Sequence, residues 1–180
     1  MTDKPWRVTS SFVEHRTPFF SVLNENVIVS DGTQRTYHVI SFPRPAVGVL
    51  ARRGTDILLI RQYRFIVDEF VWAIPSGGVA EGESPTEAAR RELEEETGYT
   101  AARLQPFLTS YASYGCSNQR FEIFIGDSVE PMARDFDRTE VLEARWFARE
   151  EVLRLVESNG IVDSLSLSPI LLLLLQGDRI

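Results

Sequence analysis

The sequence has one cysteine, two histidines and no long apolar run. Cys116 alone excludes an intrachain disulfide framework and a cysteine-based metal site, and it fits a reducing cytoplasm. His15 and His38 have neither ligand spacing nor a nearby nucleophile. Leu171–Leu175 is far too short to span a bilayer, and the N-terminus has no apolar signal core. These absences predict a cytoplasmic protein that does not enter a membrane.

The composition is that of a globular protein with a sizeable core. The chain has 180 residues, of which 43% are hydrophobic and 25% are charged. Its net charge of −7 argues against a nucleic-acid-binding surface. A negatively charged ligand would therefore have to be attracted locally, by metal ions or a few arginines.

Hydrophobic patterning predicts strands on both sides of one central helix, followed by two later helices. This order predicts an α/β protein with a mixed sheet in an α/β/α sandwich. The later helices are predicted at Arg149–Glu157 and from Ser168-Pro169 onward. The predicted strands are Phe19–Val29, Thr36–Phe42, Ala46–Arg52, Asp56–Gln62, Val71–Ile74, Leu104–Ser110, Arg120–Ile125 and Val141–Phe147.

The central helix has clear start and stop signals. Ser84 is a predicted N-cap, Pro85 suits the first helical position, and Glu87 completes a capping box. Gly98 follows the helix and can adopt the left-handed conformation that ends it. We therefore expect a regular helix between Ser84 and Gly98.

Three carboxylates, Glu92, Glu95 and Glu96, share one face of this helix because they are spaced three and four residues apart. A solvated acidic face is the simplest interpretation. It does not explain the glycines Gly77 and Gly78 upstream, which allow close approach of the backbone to a ligand. Carboxylates this close repel one another, and Mg²⁺ is a common reason to keep them together.

The segment from Gly77 to Tyr99 resembles the Nudix box, G-x5-E-x7-R-E-U-x-E-E-x-G-U, in which U is bulky and apolar. Tyr99 is the one loose match. The wider chain is similar to the ADP-ribose and nucleotide-sugar pyrophosphatase branch of this family. The matching residues are Gly77, Glu83, Arg91, Glu92, Leu93, Glu95, Glu96 and Gly98.

This resemblance implies a Nudix-type α/β/α sandwich preceded by an antiparallel β-sheet extension. The extension is expected at residues 1–42 and the catalytic domain at residues 43–180. In relatives the extension builds a dimer and supplies part of the substrate pocket. A homodimer is therefore expected, with no nucleic-acid or membrane partner.

The resemblance also implies how the box binds metal. Glu92 and Glu96 are the predicted ligands of Mg²⁺, or alternatively Mn²⁺, and Glu95 joins or bridges them. The backbone carbonyl of Ser76 is a further predicted ligand. Arg91 is predicted to fix a carboxylate rotamer rather than to bind substrate.

Glu95 and Glu140 are the predicted catalytic residues. Relatives often use a glutamate from a mobile loop after the box, which here is Glu130–Glu140. Glu140 is the predicted general base, and Asp135 and Asp137 compete with it.

The predicted substrate-binding residues are Arg61, Arg64, Tyr114 and Trp6. The arginines belong to an RQYR segment, and one of them is expected to face the pocket. Trp6 could stack on a base, although core packing explains it equally well. Tyr114 replaces a proline of ADP-ribose pyrophosphatases, and Ala73 replaces a glutamate, so GDP-mannose and other nucleotide sugars are candidate substrates beside ADP-ribose.

The residues and the resemblance together predict a Mg²⁺-dependent pyrophosphohydrolase. It would cleave the diphosphate of a nucleoside diphosphate sugar, such as ADP-ribose or GDP-mannose, into a nucleoside monophosphate and a sugar phosphate. The alternative is a non-catalytic Nudix module that binds nucleotide sugars. The intact set of Glu92, Glu95 and Glu96 argues against that alternative.

Overall fold

The computed structural model describes residues 4–133 and 135–176. Residues 1–3, 134 and 177–180 lie outside the described residues; they fall in the predicted extension, the predicted loop and the C-terminal end. The chain forms two compact units. One extends to Pro45 and includes Tyr111–Arg120, and the other comprises Ala46–Ser110 and the chain from Phe121 onward.

The first unit contains a three-stranded antiparallel sheet, with strand order β1-β2-β3. Gly32 has a φ of 85° in the predicted turn between β2 and β3, where the Asp31 carboxylate accepts a hydrogen bond from the Thr33 N–H. All ten residues of β1 are exposed, and this strand was not predicted. The strands are β1 Arg7–Arg16, β2 Ser21–Ile28 and β3 Gln34–Ser41.

The second unit is built on a mixed sheet with the order β10-β5-β4-β9-β8, to which β6 is added beside β5 and β7 beside β4. β4 runs parallel to β9 and antiparallel to β5 and β7. The strands are β4 Ala46–Arg53, β5 Asp56–Arg64, β6 Glu69–Ala73, β7 Ser76–Gly78, β8 Tyr99–Tyr111, β9 Arg120–Pro131 and β10 Glu143–Phe147.

Helices cover both faces of this mixed sheet. Alternate residues of a strand point to opposite faces, and on β4 they pack in two different hydrophobic clusters, each with its own helix. Val47 and Val49 pack in one cluster with Leu93 of α1. Leu50 packs in the other with Ile170 of α3. The predicted α/β/α sandwich is confirmed. The helices are α1 Pro85–Thr97, α2 Arg149–Glu157 and α3 Ser164–Gln176.

The caps of α1 are those predicted. The Ser84 hydroxyl accepts a hydrogen bond from the Glu87 N–H, and the Glu87 carboxylate accepts one from the Ser84 N–H. Gly98 has a φ of 70° and donates its N–H to the Glu94 carbonyl. These local bonds fix the position at which the carboxylate-bearing helix starts and ends.

The start predicted for α3 was wrong. The helix begins at Ser164 rather than at Ser168, because the Asp163 carboxylate accepts hydrogen bonds from the N–H groups of Leu165 and Ser166. Pro169 lies inside the helix and is buried, so packing offsets the backbone bond it cannot donate. Among the described residues, no helix is both long and apolar enough to cross a bilayer.

Candidate active site

Gly77 allows the loop before α1 to lie directly against the acidic face of the helix. β7 pairs with β4 and places Gly77 beside Glu92. A Cβ atom at Gly77 would lie 2.1 Å from Glu92 Oε1, far inside a van der Waals contact. A side chain at position 77 would therefore displace the carboxylate of Glu92, so this close approach favours glycine, whereas the backbone angle at Gly77 is ordinary.

Glu96 is the most buried carboxylate of the box, with only 4% of its surface exposed. Its Oε2 accepts a 2.6 Å hydrogen bond from the Ser76 N–H, and its Oε1 accepts one of 2.7 Å from Gln62 Nε2. Burial raises the pKa of Glu96 to about 8, although these two donors act in the opposite direction. The negative charge of Glu92 raises it further, so the two carboxylates lie close enough to repel.

Arg91 ties three carboxylates together on one edge of the site. Its guanidinium donates to Glu83 at 2.9 Å, to Glu92 at 2.8 Å and to Glu95 at 3.1 Å. These contacts agree with the predicted role of Arg91 in fixing a carboxylate rotamer. Glu83 also accepts a hydrogen bond from the Ala80 N–H, which braces the loop before the helix.

The electrostatics of this group follow from burial and from Arg91. Hydrogen bonds from Arg91 and from the Ala80 N–H lower the pKa of Glu83. Burial raises the pKa of Glu92 despite Arg91, and the charges of Glu95 and Glu140 raise it further. The ionisation of Glu92 and Glu96 is therefore less favourable than that of an exposed glutamate, even with Arg91 beside Glu92.

The residues around this pair fit a divalent cation. Carboxylate and carbonyl oxygens are the ligands that Mg²⁺ prefers, and the half-buried Glu92 and the buried Glu96 offer them one helical turn apart. Gln62 Oε1 beside them is buried and has no hydrogen-bond partner among the described residues. Within the same residues, no three His, Cys, Asp or Glu side chains already converge as a metal-binding group. Arg91 and Gln62 instead hold the carboxylates.

The loop that contains Glu140 is held by backbone hydrogen bonds to α1 before Glu140 and to β5 after it. The Asp137 N–H donates to the Glu95 carbonyl at 2.8 Å, and the Leu142 N–H donates to the Arg61 carbonyl at 2.9 Å. The charge of Glu140 contributes to the raised pKa of Glu92, so it lies within electrostatic range of that residue.

The two arginines of the RQYR segment lie on opposite faces of β5 because strand residues alternate. Arg64 is on the same face as Gln62, and its charge lowers the pKa of Glu96. Arg61 lies with its guanidinium 5.3 Å from the centre of the Phe70 ring. Of these two arginines, Arg64 is therefore the one whose charge reaches Glu96.

The other predicted positions are placed as follows. Trp6 and Tyr114 belong to the first unit; Trp6 packs beside Tyr37, with ring centres 5.8 Å apart, and Tyr114 is 89% exposed. Ala73 is a buried residue of the second unit that packs with Ile60. Ala73 thus fills space in the core, where a glutamate would need a partner.

Gln62 is the residue of this site that was not predicted. It is 3% exposed and contacts Glu96 directly. One sequence signal could have identified it. With a period of two, Gln62 follows Leu58 and Ile60 on the same face of β5, and a polar residue in such a row needs a partner in the interior.

Comparison with known proteins agrees with this architecture. The family model of the NUDIX domain matches residues 42–164. An ADP-ribose pyrophosphatase of Bacillus subtilis is 34% identical over 143 residues, which cover 78% of this chain and 77% of that protein. A CMP-5'-(N-acetyl-N-hydroxy-3-aminopropyl)phosphonate hydrolase of Streptomyces rubellomurinus is 29% identical over 159 residues, which cover 88% and 77%.

A solved structure described as an ADP compounds hydrolase has the same fold. It superposes with a TM-score of 0.83 at 22% identity, and the match covers 97% of each chain. The Nudix box lies on the helix and loop that this fold requires, and the family match spans most of the second unit. The chain therefore belongs to the Nudix family and is a Nudix hydrolase.

Proposed function

We propose that this protein is a Mg²⁺-dependent pyrophosphohydrolase of nucleoside diphosphate sugars, such as ADP-ribose or GDP-mannose. The reaction would release a nucleoside monophosphate and a sugar phosphate. One observation carries the proposal: the buried Glu96 and the half-buried Glu92 lie one turn apart on α1, against the backbone of Ser76 and Gly77. Burial raises the pKa of both carboxylates, and the charge of Arg64 reaches Glu96. Similarity to an ADP-ribose pyrophosphatase supports the substrate class.

Glu92, Glu96 and the carbonyl of Ser76 would hold the cation, and Glu95 would join or bridge them. Mn²⁺ is the alternative ion, because it also prefers oxygen ligands. The bound ion would neutralise charge on the diphosphate and lower the pKa of a water. Arg91 contributes by keeping Glu92 and Glu95 in fixed orientations through its hydrogen bonds.

Glu140 is the proposed general base, and the contacts of its competitors support this choice. The Asp135 carboxylate pairs with Arg138, and the Asp137 carboxylate accepts hydrogen bonds from Thr139. These bonds lower the pKa of both aspartates, which makes them poor proton acceptors. Glu95, at the end of the acidic cluster, is the other proposed catalytic carboxylate.

Arg64 is the proposed phosphate-binding residue, since guanidinium groups suit bidentate phosphate contact. Its position on the face of β5 that carries Gln62 supports this role. Arg61 would contribute less, because it lies over the ring of Phe70. Trp6 and the exposed Tyr114 are proposed to stack on the base or sugar.

We also propose that the protein is a homodimer. Every residue of β1 is exposed, and these include the apolar Val8, Phe12 and Val13. A second chain would remove this apolar surface from water. Light scattering at micromolar concentration should give twice the chain mass; a monomer would contradict the proposal.

The extension at residues 1–42 and the catalytic domain at residues 43–180 remain the proposed division of function. The proposed compartment is the cytoplasm. Cys116, the one cysteine of the sequence, is a free exposed thiol, which is in keeping with a reducing compartment. Fluorescent tagging of the full chain would test this localisation.

A panel of nucleotide sugars with Mg²⁺ tests the activity, with products identified by mass. We expect hydrolysis by the wild type and a loss of about 10³-fold or more for Glu96→Gln, because one ligand charge is removed. A comparable loss for Glu140→Gln would support its role as base, and near-normal turnover would remove that role. In ¹⁸O water, the labelled product identifies the phosphorus attacked.

No product from any substrate at high enzyme concentration would overturn the hydrolase proposal. Substrate binding without turnover would then favour the alternative, a non-catalytic module that binds nucleotide sugars. Isothermal titration with the same panel would measure that binding directly.

A further inference from the structure

Gln62 has a buried polar atom that the protein itself does not satisfy. The side chain is 3% exposed on β5, and its Nε2 donates to Glu96 Oε1 at 2.7 Å. Its Oε1 has no hydrogen-bond partner among the described residues. A buried acceptor without a donor destabilises the fold, so a glutamine that served only for packing here would be unfavourable.

Gln62, which carries this unpaired Oε1, lies on the face of β5 that is turned towards α1. Leu58 and Ile60 precede Gln62 on this face and are buried, and Leu58 packs in the same cluster as Leu93 of α1. Arg64 follows Gln62 on this face. On this face of β5, Gln62 therefore lies between the buried apolar residues that precede it and the charged Arg64 that follows it.

We propose that Gln62 is a positioning residue of the cation site. Its amide N–H holds the carboxylate of Glu96 in one orientation, and its Oε1 accepts a hydrogen bond from a water of the hydrated cation. The inference rests on the proposed function, since it requires Glu96 to be a metal ligand. Mg²⁺ usually keeps several of its waters, and each is a hydrogen-bond donor suited to an unpaired carbonyl.

The physical role of such a residue is to orient a ligand rather than to touch the ion. Groups that hold metal ligands in place typically contribute a factor of about 10–100 to metal affinity. Gln62 has this relation to Glu96 through Nε2, while the Ser76 N–H holds the other oxygen of the same carboxylate. Loss of Gln62 would leave Glu96 with one donor and a freer side chain.

Titration of the full chain with Mn²⁺ alone tests the inference. Gln62→Met keeps the length of the side chain and removes both polar atoms. We expect its Kd for Mn²⁺ to rise about 10–100-fold. The Mn²⁺ concentration needed for half-maximal activity should rise in parallel, while kcat at saturating Mn²⁺ stays within about fivefold of wild type. If the variant were only partly folded, the maximal activity would fall, but the Mn²⁺ concentration needed for half-maximal activity would stay unchanged.

Two further variants keep the test decisive. Gln62→Asn retains an amide but shortens the side chain, so it should lose affinity in the same way even if Gln62→Met is poorly folded. Gln34→Met makes the same chemical change at an exposed position of β3 and should bind Mn²⁺ like the wild type. Thermal unfolding in EDTA reports whether each variant is folded.

The outcomes separate this inference from the proposed function. If wild type and Glu96→Gln bind Mn²⁺ equally, the proposed cation site is wrong. If Glu96→Gln loses affinity while folded Gln62→Met and Gln62→Asn both match the wild type, the cation site stands and the role of Gln62 is refuted.

Discussion

Gly77→Ala is the smallest substitution that should disturb the acidic pair without changing a charge. The added Cβ would lie 2.1 Å from Glu92 Oε1, 2.3 Å from Cδ and 2.6 Å from Oε2. The whole carboxylate must therefore retreat by about 1 Å or more to reach a van der Waals separation. Its hydrogen bond to Arg91, now 2.8 Å, would be lost or distorted.

The structure predicts a large effect on activity and a small effect on stability. A misplacement of about 1 Å at a reacting centre costs about 100-fold in rate, which is about 2.7 kcal/mol of transition-state stabilisation. The displaced glutamate loses about 0.5–1.5 kcal/mol by leaving its rotamer. Alanine recovers about 0.4–1 kcal/mol by restricting the unfolded chain. The free energy of unfolding should change by less than about 1 kcal/mol.

The neighbouring glycine provides a matched control. A Cβ at Gly78 meets no atom within 4 Å, so Gly78→Ala makes the same chemical change one residue away without a clash. The measurements are kcat/KM for the best substrate of the panel, the Kd for Mn²⁺ and the urea midpoint. Gly77→Ala should lose about 100-fold in kcat/KM, and Gly78→Ala should stay within about threefold of wild type.

Equal activity of the two alanine variants would refute the reasoning. It would mean that the Glu92 carboxylate can move away from Gly77 at no catalytic cost, and hence that its position is not a requirement of the reaction. A folded Gly77→Ala that binds Mn²⁺ as tightly as wild type would specifically remove Glu92 from the cation site.

Three further predictions concern the cap, the loop brace and the arginines. Ser84→Ala removes the cap of α1 and should lower the free energy of unfolding by about 1 kcal/mol, measured by urea denaturation, with kcat unchanged. Hydrogen bonds from Arg91 lower the pKa of Glu83, so Glu83 stabilises the fold above its ordinary pKa of 4.5 and less as pH falls. The stability difference between wild type and Glu83→Gln should therefore shrink between about pH 7 and pH 3; a difference independent of pH would contradict this. Arg64→Ala should lower kcat/KM at least about tenfold more than Arg61→Ala, and equal losses would contradict the placement on β5.

The box helix could be predicted because its signals are local. Ser84, Glu87 and Gly98 cap the helix through bonds to residues within four positions, so the sequence pattern contains the whole interaction. The carboxylates Glu92 and Glu96 follow from helical spacing alone. The predicted bounds of α2 were also correct. Its polar first turn and the Asn159-Gly160 pair after its end are signals that lie next to the helix in the sequence.

β1 depends on strand pairing that is distant in sequence, whereas the start of α3 depends on a local cap that the prediction missed. β1 is exposed along its length and exists as a strand because it pairs with β2, so its own residues show no burial pattern. α3 starts four residues early because the Asp163 carboxylate caps it. The Ser166 hydroxyl in its first turn also accepts a hydrogen bond from the N–H of Ile74, the residue after β6. A proline at the expected first position misled the prediction, because packing permitted it inside the helix.

The division of the RQYR segment shows what a tertiary structure adds to a motif. Alternation along β5 predicts that two of its four residues share a face, but not which face meets α1. Leu58 decides this, because it packs in the same cluster as Leu93 of α1. Its face of β5 also carries Gln62, which contacts Glu96, and Arg64, whose charge reaches Glu96, while Arg61 lies over Phe70 on the other face. Only the two arginines of this motif were predicted to bind substrate, whereas the structure adds a buried amide that holds a carboxylate and separates the arginines onto two faces. Substitutions on the two faces of β5 should accordingly differ in metal affinity, even though the residues are adjacent in sequence.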